Sequence, residues 1–166
     1  MELSALKRIP RRWRARAVRL GFNMHPAFRS SGGRVLHVSP DLSQIRVRLG
    51  FSRRTRNLVG SLYGGSLFAV TDGVHVFMLL MRLERDVIVW DKSAEIRFRK
   101  PAYRTLYADF HISQDDVRDI RSDLDREHET LRRYTIELKD REGAVYTVVE
   151  RVVYIADKAY YKTRKE

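Results

Sequence analysis

At 166 residues the chain is near the usual size of one domain and long enough to bury a core. It has no cysteine, which excludes disulfides, thiolate metal sites and a cysteine nucleophile. Its net charge of +12 is lopsided: residues 1–60 hold 14 Lys and Arg against Glu2 and Asp41, whereas residues 61–166 balance to zero.

Basic surface attracts phosphate, and charge alone does not choose between nucleic acid, a lipid headgroup and a nucleotide-bearing cofactor. Residues 4–20 form a basic amphipathic segment, with Leu3, Leu6, Ile9, Trp13, Ala17 and Leu20 at helical spacing and Lys7, Arg8, Arg11, Arg12, Arg14, Arg16 and Arg19 between them. No apolar signal core follows, so it is not a secretory leader and the protein is expected to be cytoplasmic. Packing of the apolar stripe on the domain is one reading of the segment, and peripheral membrane contact is the other. Met24 to Gly33 reads as a loop. The domain division expected is 1–30 for the basic helix and loop, and 31–166 for the main domain.

Arg34–Val38 and Gln44–Phe51 alternate as strands around a Ser39-Pro40-Asp41 turn. Arg53, Arg54 and Arg56 form a basic loop suited to solvent or to phosphate. The decisive stretch is 57–72, in which polar residues lead into Gly64-Gly65 and then into an apolar run to Met81 that carries Asp72. Apolar on nearly every side, the run reads as one buried helix. With Asp72 and His75 inside, it makes a poor membrane span. A helix starting at Gly64-Gly65 presents free N–H groups to an oxygen acquiring negative charge. A carboxylate at Asp72 inside such a helix must be paired, protonated or used. The same residues also suit plain packing and capping.

Val87–Arg99 is a long strand ending at Lys100-Pro101, and Leu106–Ile112 is expected to pair with it. Ser113-Gln114-Asp115-Asp116 is a capping box opening a charged helix to about Glu127. Leu131–Lys139 and Ala144–Ile155 form a hairpin around 140–143, and the tail from Lys158 is polar and aromatic. The residues therefore predict one α+β domain, a curved antiparallel six-stranded sheet wrapped round a central buried helix, with an extra N-terminal helix. His25, His37, His75, His111 and His128 show no zinc-type pairing, and His75 reads as a core histidine. No Gly-x-Ser-x-Gly elbow is present.

The pattern Asn57-x-x-Gly60-x-x-Tyr63-Gly64-Gly65-x6-Asp72, with the later strand Ser93–Pro101, resembles the hotdog-fold thioesterases, in particular the phenylacetate-type acyl-CoA branch. The resemblance covers roughly residues 30–156. It implies a hotdog fold and hydrolysis of an acyl-CoA or acyl-carrier-protein thioester, with coenzyme A as part of the substrate and no separate cofactor or metal. It implies Asp72 as general base or nucleophile and the Gly64 N–H, beside Gly65, as the donor that polarises the carbonyl. Asn57 would position the leaving sulfur or the water. Asp91 falls where relatives place a water-orienting Ser or Thr. Tyr63 stands where the family has His, and tyrosine, with an ordinary pKa of about 10, is a poor base near neutrality. Arg53, Arg54, Arg56, Arg99 and Lys100 are the candidates for coenzyme A phosphates.

Gly64 and Asp72 are eight residues apart, about 12 Å on a straight helix, so acting on one carbonyl requires two chains. The resemblance likewise implies a homodimer or a dimer of dimers, a homotetramer. Two other readings remain: a hotdog protein that binds acyl-CoA or a lipid-like ligand without turnover, and a nucleic-acid or membrane-surface protein. The charge comes with no zinc-finger or RNA-recognition signature, so nucleic acid is not expected.

Overall fold

Six alternating segments build one antiparallel sheet: β1 (Gly33–Val38), β2 (Gln44–Leu49), β3 (Val87–Phe98), β4 (Leu106–His111), β5 (Glu129–Lys139) and β6 (Val145–Asp157), in the order β1-β2-β4-β5-β6-β3. The computed structural model describes Leu6 and residues 9–163, Arg11 by its backbone alone. The α+β architecture and six-stranded sheet expected from the sequence are both present. One expected pairing is not: β4 lies between β2 and β5, and β3 pairs with β6 from Val87↔Asp157 to Phe98↔Thr147. The long β5–β6 hairpin offers β3 a full-length apolar partner, while β4 is half as long. β4 and β5 share one registered pair, Tyr107↔Lys139.

The central buried helical segment over 64–82 is present as expected, but it is not one continuous helix. It is two helices, α3 (Gly64–Ala69) and α4 (Val74–Arg82), separated by a turn at 70–73 in which Gly73 has φ +68°. A left-handed residue there favours glycine and stops the helix. α4 packs on both β3 and β4, which lie three strands apart in the sheet. A flat sheet would put those strands about 14 Å apart, beyond one helix's reach, so the sheet curves round α4. Val74, His75, Met78 and Leu79 are buried inside that curve with Phe110, Ile136, Val149 and Val153. Helix α5 (Gln114–Glu127) opens on the expected capping box, Ser113 with Asp116, and buries Val117, Ile120 and Leu124. The tail forms a short helix, α6 (Lys158–Thr163).

The N-terminal segment also departs from expectation. Helix α1 runs Arg11–Met24, and Met24–Gly33 is not all loop, because Pro26–Ser30 forms a short helix, α2, with proline in its first turn. Leu3, Lys7 and Arg8 of the predicted stripe lie outside the described residues. Leu6 is in the core, but Trp13 and Leu20 are exposed, and Val18, fully buried, faces the sheet instead. Asn23 fixes this rotation. Its Nδ2 donates to the Val35 carbonyl at 3.0 Å and its Oδ1 accepts from the Val35 N–H at 2.8 Å, so one side chain extends the edge of β1. Phe22 then meets Phe28 and Phe77 edge-on at 5.3 and 5.1 Å.

His75 is a core histidine, stacked on Tyr134 at 4.2 Å and edge-on to Phe110 at 5.1 Å. Its Nδ1 has no partner among the described residues. Burial first, and then the nearby Arg151 charge, push its pKa from 6.5 down to about 4. Between those values the unfolded chain binds a proton that the folded chain refuses, so the stabilisation is complete above about pH 6.5 and is lost as pH falls towards 4. Urea unfolding should therefore show stability dropping by about 2 kcal/mol from this residue between pH 7 and pH 5. His75→Leu should flatten that slope, and an unchanged slope in the variant would refute the assignment.

Candidate functional site

Where α3 ends, its last carbonyls lose their helical partners, and a buried arginine takes over. Arg151 lies on the inward row of β6 with Val149, Val153 and Ile155 and is 2% exposed. Its guanidinium carries five N–H donors, and all have acceptors. Nε donates to Thr71 Oγ1 at 3.2 Å, and Nη2 to Thr71 Oγ1 at 3.0 Å and to the Phe68 carbonyl at 3.2 Å. Nη1 donates to Asp72 Oδ1 at 2.9 Å and to Asp91 Oδ2 at 2.7 Å. The guanidinium also stacks over the Phe68 ring at 4.7 Å.

Asp72 is consequently not sunk in a helix. It sits in the turn with its side chain 68% exposed, one oxygen on Arg151, and the other without a hydrogen bond among the described residues. Asp91 reaches the same guanidinium from β3 and is 16% exposed, its Oδ1 buried without a hydrogen-bond partner among the described residues. Burial, the larger cause, raises the Asp91 pKa; Arg151 lowers it and the neighbouring Asp72 charge raises it further.

Asp72 opens on a cleft of about 420 Å³ between the N-terminal corner and the central segment, lined by Phe22, Phe28, Phe77, Ala27, Ala69 and Gly73 among others. Its volume suits a small organic group. Asp72 and His25 are the ionisable side chains that line it among the described residues. Leu6 and the helices α1 and α2, with His25 between them, thus form one wall of the cleft.

The remaining predicted residues gather at the other end of α3. Tyr63 is the N-cap, exposed, with its ring over Gly65: a Cβ on Gly65 would lie 2.3 Å from it. A Cβ on Gly64 would lie 3.1 Å from the Phe98 ring. A side chain at either glycine would therefore require one of these exposed rings to move, and no side chain caps this helix start among the described residues. Asn57 is engaged in its own loop. Its Oδ1 accepts from the Val59 and Ser61 N–H groups, and its Nδ2 donates to Ser61 Oγ at 2.9 Å. Arg53 and Arg54 lie exposed in the 52–55 turn, Arg56 stacks over Phe51 at 5.1 Å, and Lys100 sits over Tyr146 at 4.3 Å beside exposed Arg99.

Asp72 and Asp91 come together, then, while Asn57, Tyr63, Gly64 and Gly65 form a second group at the far end of α3. Arg151, Thr71 and His25 are missing from the sequence-derived set. The phase of β6 carried a signal for Arg151, because strict alternation puts it on the row of Val149 and Val153. Arg151→Met should cost about 3–5 kcal/mol in urea unfolding, since it leaves buried Asp91 uncompensated. Adding Asp91→Leu should recover at least half of the loss. Additive losses in the double variant would contradict this coupling.

With this geometry established, comparison with known proteins places the chain. Residues 14–155 match the family model described as a domain of unknown function, DUF4442. No curated protein matches by sequence. Solved structures similar to the chain include a protein of unknown function from Pseudomonas aeruginosa described as a probable thioesterase (TM-score 0.75, 19% identity, covering 85% of this chain and 94% of that one). A thioesterase from Haemophilus influenzae is also similar (TM-score 0.64, 12% identity, 86% and 90% covered). So is the PaaI protein of the E. coli phenylacetic acid degradation operon (TM-score 0.57, 14% identity, 92% and 95% covered). At these identities the likeness establishes a hotdog-like fold. The chain belongs to the DUF4442 family.

Proposed function

We propose that this chain is a thioester hydrolase acting on an acyl-CoA or an acyl-carrier-protein thioester. The observation that carries the reading is Asp72, a carboxylate on the lining of an apolar cleft, fixed through one oxygen by Arg151 with the other unbonded among the described residues. The fold-level likeness to thioesterases agrees with this reading. In this mechanism the acyl chain lies in the cleft. The free oxygen of Asp72 takes a proton from water, and the water oxygen attacks the thioester carbon. The resulting oxyanion is stabilised by the Gly64 N–H of a second chain. Collapse expels the thiolate, which takes up the proton, leaving a carboxylic acid and a thiol. Tyr63 orients the substrate by donating a hydrogen bond, and the ring of His25 is the second ionisable group on the cleft. Asn57 acts through the loop it clasps. Asp91, held by the same guanidinium as Asp72, fixes the turn.

The dimer required by this mechanism is supported by β3. It is an edge strand of 12 residues, and from Lys92 to Phe98 most of its side chains are exposed on both faces. Long exposed edges are otherwise avoided. Phe98 lies on that edge, over Gly64, so an interface along β3 would meet the start of α3 directly. Trp13, Leu20 and Met24, exposed on the outer side of α1 among arginines, support peripheral contact with an anionic membrane as a second property of the same protein. Binding without turnover is the reading favoured by Tyr63 in place of histidine.

Asp72→Asn preserves the Arg151 contact and should lower thiol release from acyl-CoA by about 10²–10⁴-fold without changing oligomeric state. Release of the free thiol, followed with a chromogenic reagent across short, long and aromatic acyl-CoAs, measures this; wild-type turnover in the variant would remove the mechanism. In sedimentation equilibrium the wild type should behave as at least twice the 19.6 kDa chain. Phe98→Arg should shift it towards monomer and abolish turnover while leaving circular dichroism intact. A fully active monomer would show that one chain suffices.

A further inference from the structure

A second cleft, of about 570 Å³, lies on the other side of the N-terminal corner, between α2, β1, β2 and the 52–55 turn. Arg29, Arg34, Arg48 and Arg54 all line it. None of the four side chains is in an ion pair or hydrogen bond among the described residues, and no acidic side chain lines the cleft among them. Elsewhere the chain pairs its arginines readily, as Arg85 does with Asp125 and Asp157 and Arg132 with Asp123. Four guanidiniums round one hollow repel each other, and the fold brings them together from four separate elements without neutralising them.

We propose that this cleft binds several phosphate groups of one ligand, namely the phosphorylated end of a coenzyme-A-type carrier. Guanidinium forks match phosphate oxygens in pairs. A terminal phosphomonoester carries about −1.5 to −2, and each internal phosphate about −1. A diphosphate with one further phosphomonoester therefore offsets the four positive charges, which a lone phosphate does not. The cleft also adjoins the site of chemistry. Gly33 on its floor packs against Val70, so closely that a Cβ there would lie 2.8 Å from Val70 Cγ2, and Val70 is two residues from Asp72. Thr55 on its wall accepts the Tyr63 N–H at 2.8 Å through its carbonyl. The cleft thus touches both ends of α3. Of the basic residues expected from sequence to meet phosphate, Arg54 lines it, and Arg29, Arg34 and Arg48 are new.

Phosphate binding here stands on the cleft alone, whereas its assignment to a thioester's carrier rests on the function proposed above. Titration calorimetry on the full chain separates the two, using coenzyme A, 3′-dephospho-coenzyme A, inorganic pyrophosphate, and phosphatidylserine vesicles as probes. Coenzyme A should bind more tightly than the dephospho form or pyrophosphate, and more weakly as salt rises from about 50 to about 300 mM. Arg34→Gln combined with Arg54→Gln, both exposed, should weaken coenzyme A at least tenfold and flatten the salt dependence, while Arg118→Gln on α5 should change neither. Coenzyme A bound equally by the double variant and the wild type would overturn the site. So would vesicle binding that needs Arg34 and Arg54 while coenzyme A is ignored, since the partner is then a lipid surface. Tight, arginine-dependent coenzyme A binding with no thiol released from any acyl-CoA would support this site and defeat hydrolysis.

Discussion

The buried guanidinium of Arg151 is the constraint around which the central segment is arranged. A cation with 2% exposure must find acceptors for every donor and a counter-charge, or the fold loses several kcal/mol. The acceptors exist because α3 stops. Phe68's carbonyl accepts from the Thr71 N–H, the Thr71 hydroxyl and Arg151 Nη2, a set that a continuing helix would have used up. Positive charge at a helix C-terminus also suits the local dipole. The helix break, the exposure of Asp72 and the burial of Asp91 are thus one event seen from three residues.

The N-terminal corner has a similar economy. Phe28, buried between α1 and β1, separates two hollows of opposite character. On one side Phe22 and Phe77 complete an apolar wall that reaches Asp72, and on the other Arg29 and Arg34 flank the glycine pair 32–33. An amphiphile with a phosphorylated head and an apolar tail presents the same two surfaces. The basic excess of residues 1–60 is in part concentrated in this geometry.

Most of the fold was legible because it is written in short-range pattern. Period-two alternation located the strands, and Ser113 with Asp116 located the start of α5. Strand partners were less legible, since β3 and β4 are adjacent in sequence yet β6 offers the longer match. The helix break was hidden by composition. Asp72-Gly73 is a turn signal, but the apolar run from Val74 onwards continues the helical pattern across it. The rotation of α1 turns on Asn23 and Val18 against Trp13 and Leu20, and helical spacing alone fits either face. Arg151 was visible by phase, but its partners lie 60 to 83 residues away in sequence, beyond any local rule.

Charge balance separates the two carboxylates on Arg151. One anion neutralises one buried guanidinium, and Asp91, nearly buried at 2.7 Å, is placed to be that anion. Asp72 is then a second carboxylate where the fold needs only one. Its presence raises the Asp91 pKa through repulsion, which is a cost to the cluster. A neutral acceptor at position 72 would satisfy the remaining Nη1 hydrogen as well, without that repulsion. Gly64 and Gly65 have a partial explanation in packing, because a Cβ at either position would push aside the ring of Phe98 or Tyr63. Asp72 has no such explanation in packing, and it lines the apolar cleft with one oxygen unclaimed among the described residues. This surplus charge, more than the glycines beside Tyr63, marks the place of the proposed chemistry.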